Sequence, residues 1–352
     1  MRIAKPLLLA GLLAGCAQHS AVPPPPPVEL LGRAPLVLPF GLEMDGLRVG
    51  GLSGIVREPA GTWLAVVDND QETPARVFRL AFEMGEDGVT SRSLKDVPVG
   101  AIRLEGLDGR NFDGEGIALE ASGNLLVSSE TEPSIRRVSP DGKILGELPV
   151  PSIFKAGKGT GIRNNEGFEP LALAPGGGAL WTANERPLQQ DGPGDKTASG
   201  PVRLLRYERR GEDLVPAAQY VYEVDRIERP GVRFNVRGLV DLLPLPGGDL
   251  LALEREYVEL RGFKIQIFRV SLDGATDVSG FDSLPGKSYV PVRKTPFFDF
   301  AGIGFVPDNV EGMTFGPTLP DGSRTLVLVS DNNFLRLQQT QILALRLNPR
   351  DL

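Results

Sequence analysis

One short unit recurs along this chain of 352 residues and limits the folds that the chain can adopt. In its clearest copy, Glu115 and Gly116 open a short apolar segment, a polar turn follows at 122–124, and a second apolar segment runs to Glu130. The two carboxylates are fifteen residues apart. Short apolar runs joined by a polar turn predict an antiparallel pair of strands.

Five copies of this unit follow one another. Ser53, Glu169 and Glu311 open three of the other copies as Glu115 opens its own, and the fourth copy slips by one residue, so that Asp241 stands where glycine 116 would be. A third apolar run completes each copy and contains an arginine before an apolar residue, at Arg79, Arg137, Arg206, Arg269 and Arg346. Repeats of this size indicate radial or solenoid stacking.

The repeat predicts an all-β fold, a β-propeller built from four-stranded antiparallel blades around a central channel. Five motif copies indicate five blades, and a motif-poor sixth blade stays open. The last copy lacks an outer strand because the chain stops at Leu352. A lone apolar run at 35–40 can supply it and close the ring, which hides the exposed strand edges. Residues 35–352 are therefore predicted to form a single propeller domain.

The N-terminus is predicted to be a targeting segment. Arg2 and Lys5 precede an apolar run, and Leu13-Ala-Gly-Cys16 resembles the lipobox of bacterial lipoproteins. The resemblance implies a signal peptide over 1–15, lipid attachment to Cys16, and a proline-rich tether over 16–34. It places the domain at the bacterial cell envelope, anchored in the outer membrane and facing the periplasm or the surface. The alternative is a plain secretory signal with an incidental cysteine.

The composition excludes several kinds of site. His19 is the sole histidine and Cys16 the sole cysteine, and both lie in the predicted tether. The domain therefore cannot hold a Ser-His-Asp triad, a Cys-His pair or a histidine-ligated zinc site. The net charge is −7, and no basic run of the kind that binds nucleic acid is present. Cations, or ligands held through cations, are the expected partners.

The repeated acids are the candidate site. In a propeller blade, the start of the innermost strand and the end of the next strand lie on the same face, so the acids of all copies are expected at one channel mouth. Like charges at this density call for a cation, and calcium binds six to eight oxygen ligands with flexible geometry. The predicted metal ligands are Asp68, Glu115, Glu130, Glu169, Glu185, Glu311 and Asp331.

A purely structural interpretation stays open beside this one. Each carboxylate could cap backbone amides in a turn or pair with a repeated arginine of a neighbouring blade. Arg186 and Arg255, which directly follow acids, are candidates to clamp a phosphate, and they could equally be solvated.

With these motifs, the chain resembles the bacterial phytase-like family known for "esterase-like activity of phytase". The resemblance covers nearly the whole chain after residue 50 and rests on five ordered motifs: Gly51-Leu-Ser-Gly54, Asp113-Gly-Glu-Gly-Ile-Ala-Leu119, Gly167-Phe-Glu-Pro-Leu-Ala-Leu173, Val310-Glu-Gly-Met313 and Leu328-Val-Ser-Asp-Asn-Asn-Phe334. It implies a propeller whose recurring acids carry a phosphoesterase-type activity, here at Glu115, Glu130, Glu169, Glu185, Glu311 and Asp331. The sequence departs from the family at Pro170, where glycine is usual.

Two functions of different classes follow. The first is an envelope-anchored, calcium-dependent phosphoester hydrolase that acts on a phosphorylated small molecule, with Glu115, Glu169 and Glu311 as catalytic carboxylates. The second is a non-catalytic propeller that binds a protein or glycan and holds calcium structurally. A sugar lactonase or a cofactor-dependent oxidation is a third possibility, which the absence of histidine disfavours. The sequence leaves the oligomeric state open.

Overall fold

A computed structural model describes residues 28–32, 34–68 and 74–348, and these form a β-propeller of five blades. The predicted signal peptide and Cys16 lie outside the described residues. Each blade is an antiparallel sheet in which consecutive strands run from the channel outwards. Three short 3₁₀ turns accompany the strands, at Leu94–Asp96, Ser152–Phe154 and Phe300–Ile303. The prediction of an all-β propeller is confirmed, with five blades in the described parts of the chain.

The strands are numbered in chain order. Before the first blade come β1 (Val28–Leu30), β2 (Leu36–Leu38), β3 (Glu43–Met44) and β4 (Leu47–Arg48). Blade 1 and its small side hairpin contain β5 (Leu52–Arg57), β6 (Trp63–Val67), β7 (Pro74–Leu80), β8 (Glu83–Gly85), β9 (Gly88–Thr90) and β10 (Pro98–Asp108). Blade 2 contains β11 (Gly114–Leu119), β12 (Leu125–Ser129), β13 (Ser134–Val138) and β14 (Ile144–Glu147).

The remaining blades repeat the same order. Blade 3 contains β15 (Phe168–Leu173), β16 (Ala179–Asn184), β17 (Gly200–Arg210) and β18 (Asp213–Val224). Blade 4 contains β19 (Asn235–Pro244), β20 (Leu250–Val258), β21 (Gly262–Ser271) and β22 (Arg293–Asp299). Blade 5 contains β23 (Asn309–Phe315), β24 (Arg324–Asp331) and β25 (Thr340–Leu347). We call the face where β6, β12, β16, β20 and β24 end the mouth, and the opposite face the base.

The N-terminal strands complete blade 5 and close the ring. Leu36–Leu38 pairs with β25 as the sequence predicts, and Val28–Leu30 pairs with the same strand nearer the base. The predicted start of the domain at residue 35 is therefore too late, because Val28–Leu30 belongs to the sheet and not to the tether. Leu36 and Leu38 pack in one apolar cluster with residues of blades 1 and 5. The two ends of the chain thus share a core.

Close contacts between innermost strands hold the blades together at the channel. A Cβ atom on Gly54 would lie 2.5 Å from the carbonyl oxygen of Glu115 in the next blade, and one on Gly116 would lie 2.7 Å from that of Glu169. Gly312 makes the same kind of contact with the carbonyl oxygen of Ser53. This contact joins blade 5 to blade 1 and completes the ring. In blades 1, 2 and 5 a side chain on this glycine would clash with the neighbouring backbone, whereas blades 3 and 4 have Pro170 and Asp241 at the equivalent position.

The repeated arginines lie far from the acids. Arg79 pairs with Glu58, Arg137 with Glu120 and Arg269 with Asp249, and each of these acids belongs to a turn at the base. Arg206 and Arg346 likewise pair with acids outside the mouth, Glu208 and Glu29. The alternative that the mouth acids are neutralised by the repeated arginines is therefore wrong. These arginines instead brace the lower part of each blade.

Leu38→Ala tests the ring closure. Leu38 is buried in the cluster shared by the first and last blades, whereas the neighbouring Val37 points to the more exposed face of β2. We expect Leu38→Ala to lower the free energy of unfolding by about 2–4 kcal/mol, because it leaves a cavity in that core. Val37→Ala serves as the matched control and should cost less than half as much in urea unfolding. Equal losses would show that β2 does not close the core.

Candidate functional site

A bulge in each innermost strand directs the first set of side chains into the channel. The pairing between the innermost strand and the next one shifts by a residue at the same place in all five blades. Bulges of this kind insert one extra residue and turn its side chain. The residues at the shift are Ser53, Glu115, Glu169, Val240 and Glu311. Val240, and not Asp241, is therefore the blade 4 equivalent of Glu115.

The ends of the second strands supply a second ring of side chains. The backbone of Asp68 pairs with Gly51, that of Glu130 with Asp113, and that of Glu185 with Gly167. By the same register, Arg255 pairs with Gly238 in blade 4 and Asp331 with Asn309 in blade 5. The ring thus contains four acids and one arginine, and Arg255 occupies the position that the other blades give to an acid.

The structure brings all seven predicted acids to the mouth and adds an eighth. Asp113 was not predicted, although it lies two residues before Glu115, and a spacing of two places residues on the same face of a strand. Carboxylate oxygens of Asp68, Asp113 and Glu115 lie within 4.8 Å of one another, and so do those of Glu115, Glu130 and Glu169. Glu115 belongs to both groups, so the two candidate cation positions are adjacent.

The two groups differ in their access to solvent. Asp68 and Asp113 are partly exposed, whereas Glu115, Glu130 and Glu169 are buried. The open edge of the ring therefore lies between blades 1 and 2.

Arg255 neutralises the opposite side of the ring. Its guanidinium donates to the carboxylates of Glu185, at 2.9 Å, and Glu311, and to the side-chain oxygen of Asn309 at 3.1 Å. Asn309 in turn donates to Glu311 at 2.9 Å, and the Ser53 hydroxyl donates to the same carboxylate at 3.1 Å. Glu311 is consequently held by three donors. This side of the mouth is a completed ion-pair network.

Burial and mutual repulsion raise the pKa of five of the acids, Asp68, Glu115, Glu130, Glu169 and Asp331. Burial is the largest cause for Glu115 and Glu169, followed by the neighbouring carboxylates Glu169 and Glu130 respectively. Burial and Asp331 act in the same way on Asp68. Carboxyls in this state release protons readily only when positive charge is added. A bound cation is the addition that would allow all of them to ionise at neutral pH.

Several polar residues near the acids have structural roles. The Arg186 guanidinium is buried and donates to the backbone carbonyl of Arg237 at 2.8 Å and to that of Asp195 at 2.7 Å. It therefore fixes the loop at 187–199 and does not point to the acids as a phosphate clamp would. Asn184 donates to the Arg186 carbonyl, and the Asn332 side chain accepts from Gly51 at 3.0 Å. Asn69 lies outside the described residues.

The channel continues below the acids as a cavity of about 120 Å³ lined by the innermost strands of all five blades. Asp241 is buried in its wall and accepts hydrogen bonds from the backbone amides of Leu242, at 2.8 Å, and Met313, at 2.6 Å. The second bond links blade 4 to blade 5 at the position where blades 1, 2 and 5 have the close glycine contact. Burial raises the pKa of Asp241 to about 8.

The fold and the mouth define a five-bladed propeller with an acidic axial site, and sequence comparison gives its family. The model of the phytase-like family described as "esterase-like activity of phytase" matches residues 47–334, and the chain belongs to this family. A curated relative from Arthroderma benhamiae, named "Uncharacterized secreted protein", is 25% identical over 176 residues, which cover 42% of this chain and 34% of the relative. The chain thus matches about a third of that relative's length.

Solved structures match the chain at low identity and with low TM-scores. The match to the PQQ-bound form of aldose sugar dehydrogenase from Streptomyces coelicolor has a TM-score of 0.41 and 14% identity over 91% of this chain and 98% of that one. The match to the iodide structure of the Trichoderma reesei family AA12 protein has a TM-score of 0.42 and 10% identity over 92% and 96%. Within the described ranges, none of the helical segments has the length and apolar character that a bilayer crossing requires.

Arg255→Met tests the role of the guanidinium in the ring. The change leaves Glu185 and Glu311 without their cation, and breaking a buried ion pair costs about 3–5 kcal/mol. We expect a loss of this size in the free energy of unfolding in cation-free buffer. Arg269→Met is the control, since its ion pair with Asp249 is partly solvated and should be worth about 1 kcal/mol or less. Similar losses in both variants would contradict this role of Arg255.

Asp241→Asn tests the buried carboxyl through pH. A folded pKa near 8, against 3.8 when unfolded, stabilises the protein below about pH 4, and this contribution is lost as the pH rises towards 8. The variant does not titrate, so the wild type should lose stability relative to it across that window, by at most about 1.4 kcal/mol per pH unit. Urea unfolding at several pH values measures this difference. A constant difference would show that Asp241 does not titrate there.

Proposed function

We propose that this protein is a calcium-dependent phosphoester hydrolase that acts at the acidic mouth. The observation that carries the proposal is the pair of three-carboxylate groups that share Glu115, on the side of the ring that Arg255 does not reach. Eight carboxylates converge at the whole mouth. Among the described residues, Arg255 is the cation that forms ion pairs with any of them, Glu185 and Glu311. A site of this kind gains stability from added positive charge.

The donors fit a hard cation. All the candidate ligands are carboxylate oxygens, and the sequence outside the predicted tether contains neither histidine nor cysteine. Oxygen donors favour calcium, magnesium or manganese over softer metals. Calcium agrees best with a crowded, irregular set of carboxylates, because its coordination number and angles are flexible. We propose Asp68, Asp113, Glu115, Glu130 and Glu169 as the ligands.

The carboxylates have distinct proposed roles. Bound calcium would supply the positive charge that neutralises phosphate oxygens and makes water more acidic. Asp68 and Asp113 form the open edge, where a substrate enters. Glu115 and Glu169 lie deeper and are placed to hold cations and to accept a proton. Glu311, predicted as catalytic, is occupied by Arg255, Asn309 and Ser53 and is better suited to orient the ring.

A non-catalytic function is the second candidate, and the burial of the acids favours it. Glu115, Glu130 and Glu169 are 3–6% exposed, so a cation among them would also act as a structural bridge between blades 2 and 3. The propeller would then bind a protein or glycan on its surface. In either case, we propose lipid attachment at Cys16 and a location at the bacterial cell envelope, on the basis of the N-terminal motif alone.

Calcium dependence of turnover separates the two candidates. Protein stripped with a chelator is assayed on a phosphomonoester, a phosphodiester and a carboxylic ester, with and without added calcium. We expect calcium to restore turnover of a phosphoester, and Glu115→Gln to lower kcat/KM by about a hundredfold or more, because it removes a shared ligand and proton acceptor.

Glu212→Gln, at an exposed position of the base, is the matched control and should keep full activity. If calcium raises the melting temperature but none of the three substrates is turned over, the hydrolase proposal is wrong. The non-catalytic propeller with a structural cation is then favoured.

A further inference from the structure

Exposed apolar side chains are concentrated on the mouth side of the propeller. Twelve large apolar residues of the described chain are exposed, and eight of them lie in loops at the mouth. Seven of these eight come from blades 4 and 5. The most exposed are Val232, Leu260 and Leu337, at 99%, 98% and 97%. Side chains of this kind cost solubility, and their concentration on one face of the propeller indicates an interaction surface.

Four loops form this surface, which we call the docking rim: residues 225–234, 259–261, 300–308 and 332–339. The loops at 225–234 and 300–308 precede innermost strands, and those at 259–261 and 332–339 follow the strands that carry Arg255 and Asp331. All four therefore lie on the face of the acidic ring. They occupy the half of that face that Arg255 neutralises.

The rim is basic, although the whole chain has a net charge of −7. Its exposed charged residues are Arg226, Arg229, Arg233, Arg261 and Arg336, against the single exposed carboxylate of Glu228. The other acids of the rim are less exposed, and Asp225 among them is paired with Lys294 at 2.8 Å. Guanidinium groups beside exposed apolar side chains at loop tips are suited to binding a partner whose surface is anionic and whose interior is apolar.

We propose that the docking rim binds the surface of an anionic lipid bilayer. The arginines would contact lipid phosphates, for which the guanidinium fork is well shaped. The apolar tips would enter the boundary between headgroups and acyl chains. A folded protein partner fits less well, since the most exposed apolar residues stand singly at loop tips and not in a flat, continuous patch. This proposal does not depend on the proposed hydrolysis.

The rim is ordered before it meets a partner. The amide of Glu259 donates to the carbonyl of Phe234 at 3.0 Å, and the Phe234 and Tyr257 rings lie 5.8 Å apart, so that the loop and the turn brace each other. The Asn235 side chain accepts from the Gly231 amide at 2.7 Å. Binding would therefore require little further ordering of these segments, which favours association.

Leu260 is the clearest sign that the rim has a role beyond folding. It has a φ of 67°, a left-handed conformation that disfavours side chains other than glycine, asparagine or aspartate. Its side chain is almost fully exposed, so no packing in the fold offsets this strain. Backbone strain of this kind is typical of functional positions. A leucine here stabilises the protein only if something apolar covers it.

The predicted anchor is compatible with this orientation. Val28–Leu30 enters blade 5 at the base, opposite the mouth. The twelve residues from Cys16 to Val28 would span about 37 Å if extended as polyproline II. The eight residues of β25 rise about 27 Å. The chain between Cys16 and the fold is thus long enough for the mouth to reach the membrane that holds the lipid.

Vesicle binding by Leu260→Gly tests the proposal. The full chain, with Cys16→Ser in every variant so that the N-terminus is constant, is sedimented with vesicles of phosphatidylglycerol and phosphatidylcholine or of phosphatidylcholine alone. Leu260→Gly relieves the strained φ, so its melting temperature should be equal or higher. Its partition onto the anionic vesicles should fall about fivefold because one inserted side chain is lost. Leu145→Ser, an exposed apolar position on the outer strand of blade 2, should bind as the wild type does.

A single-cysteine reporter gives an independent readout. Because Cys16 is the only cysteine, Leu260→Cys in the Cys16→Ser chain carries one label, and Ala121→Cys at an exposed base turn is the control. An environment-sensitive fluorophore should report an apolar surrounding at Leu260 on anionic vesicles and none at Ala121. Wild-type protein that fails to bind these vesicles, or equal responses at both labels, would overturn the proposal. Competition by inorganic phosphate alone, without a response to vesicles, would point to a soluble anion instead.

Discussion

The structure depends on the close contact between the innermost strands of neighbouring blades. At this contact a glycine of one blade faces the carbonyl of the bulged residue in the next, as Gly54 faces Glu115 and Gly312 faces Ser53. The contact closes the ring, and the bulge that makes it also turns the side chain of the bulged residue towards the axis. The same feature of the innermost strands therefore closes the ring and gathers the carboxylates at the mouth. Electrostatic repulsion among these acids is a cost of the closed ring.

Blade 4 departs from the pattern at three equivalent positions, and together these changes divide the mouth. Val240 replaces a carboxylate, Asp241 replaces the contact glycine, and Arg255 replaces the acid at the end of the second strand. Arg255 then neutralises Glu185 and Glu311 from within the protein. Asp68, Asp113, Glu115, Glu130 and Glu169 form no ion pair with Arg255. The break in symmetry thus separates a half with an arginine–carboxylate network from a half that gathers carboxylates.

Ion pairs at the two faces have different physical roles. At the base, Arg79 and Arg269 meet their carboxylates in partly solvated positions, where an ion pair contributes little beyond bracing a turn. At the mouth, the side chain of Arg255 is 14% exposed, and its removal would leave buried charges without compensation. Arginine–carboxylate pairs therefore only brace turns at the base. At the mouth, the stability of the fold depends on such a pair. The loops of the docking rim then add exposed apolar and basic side chains on the side of the mouth that Arg255 neutralises.

The sequence determined the class of fold, the order of strands and the gathering of the repeated acids, because each follows from a local pattern repeated at regular spacing. It left the choice between five and six blades open. It also indicated that Leu36–Leu38 closes the ring. Tertiary structure alone decided that Val28–Leu30 belongs to the sheet, that Asp113 joins the acids, and that Arg255 pairs with Glu185 and Glu311 while Arg186 donates to backbone carbonyls. These contacts depend on segments of the chain that are distant in sequence and meet in the folded protein. A pattern along one strand carries no information about the charge that another blade places beside it.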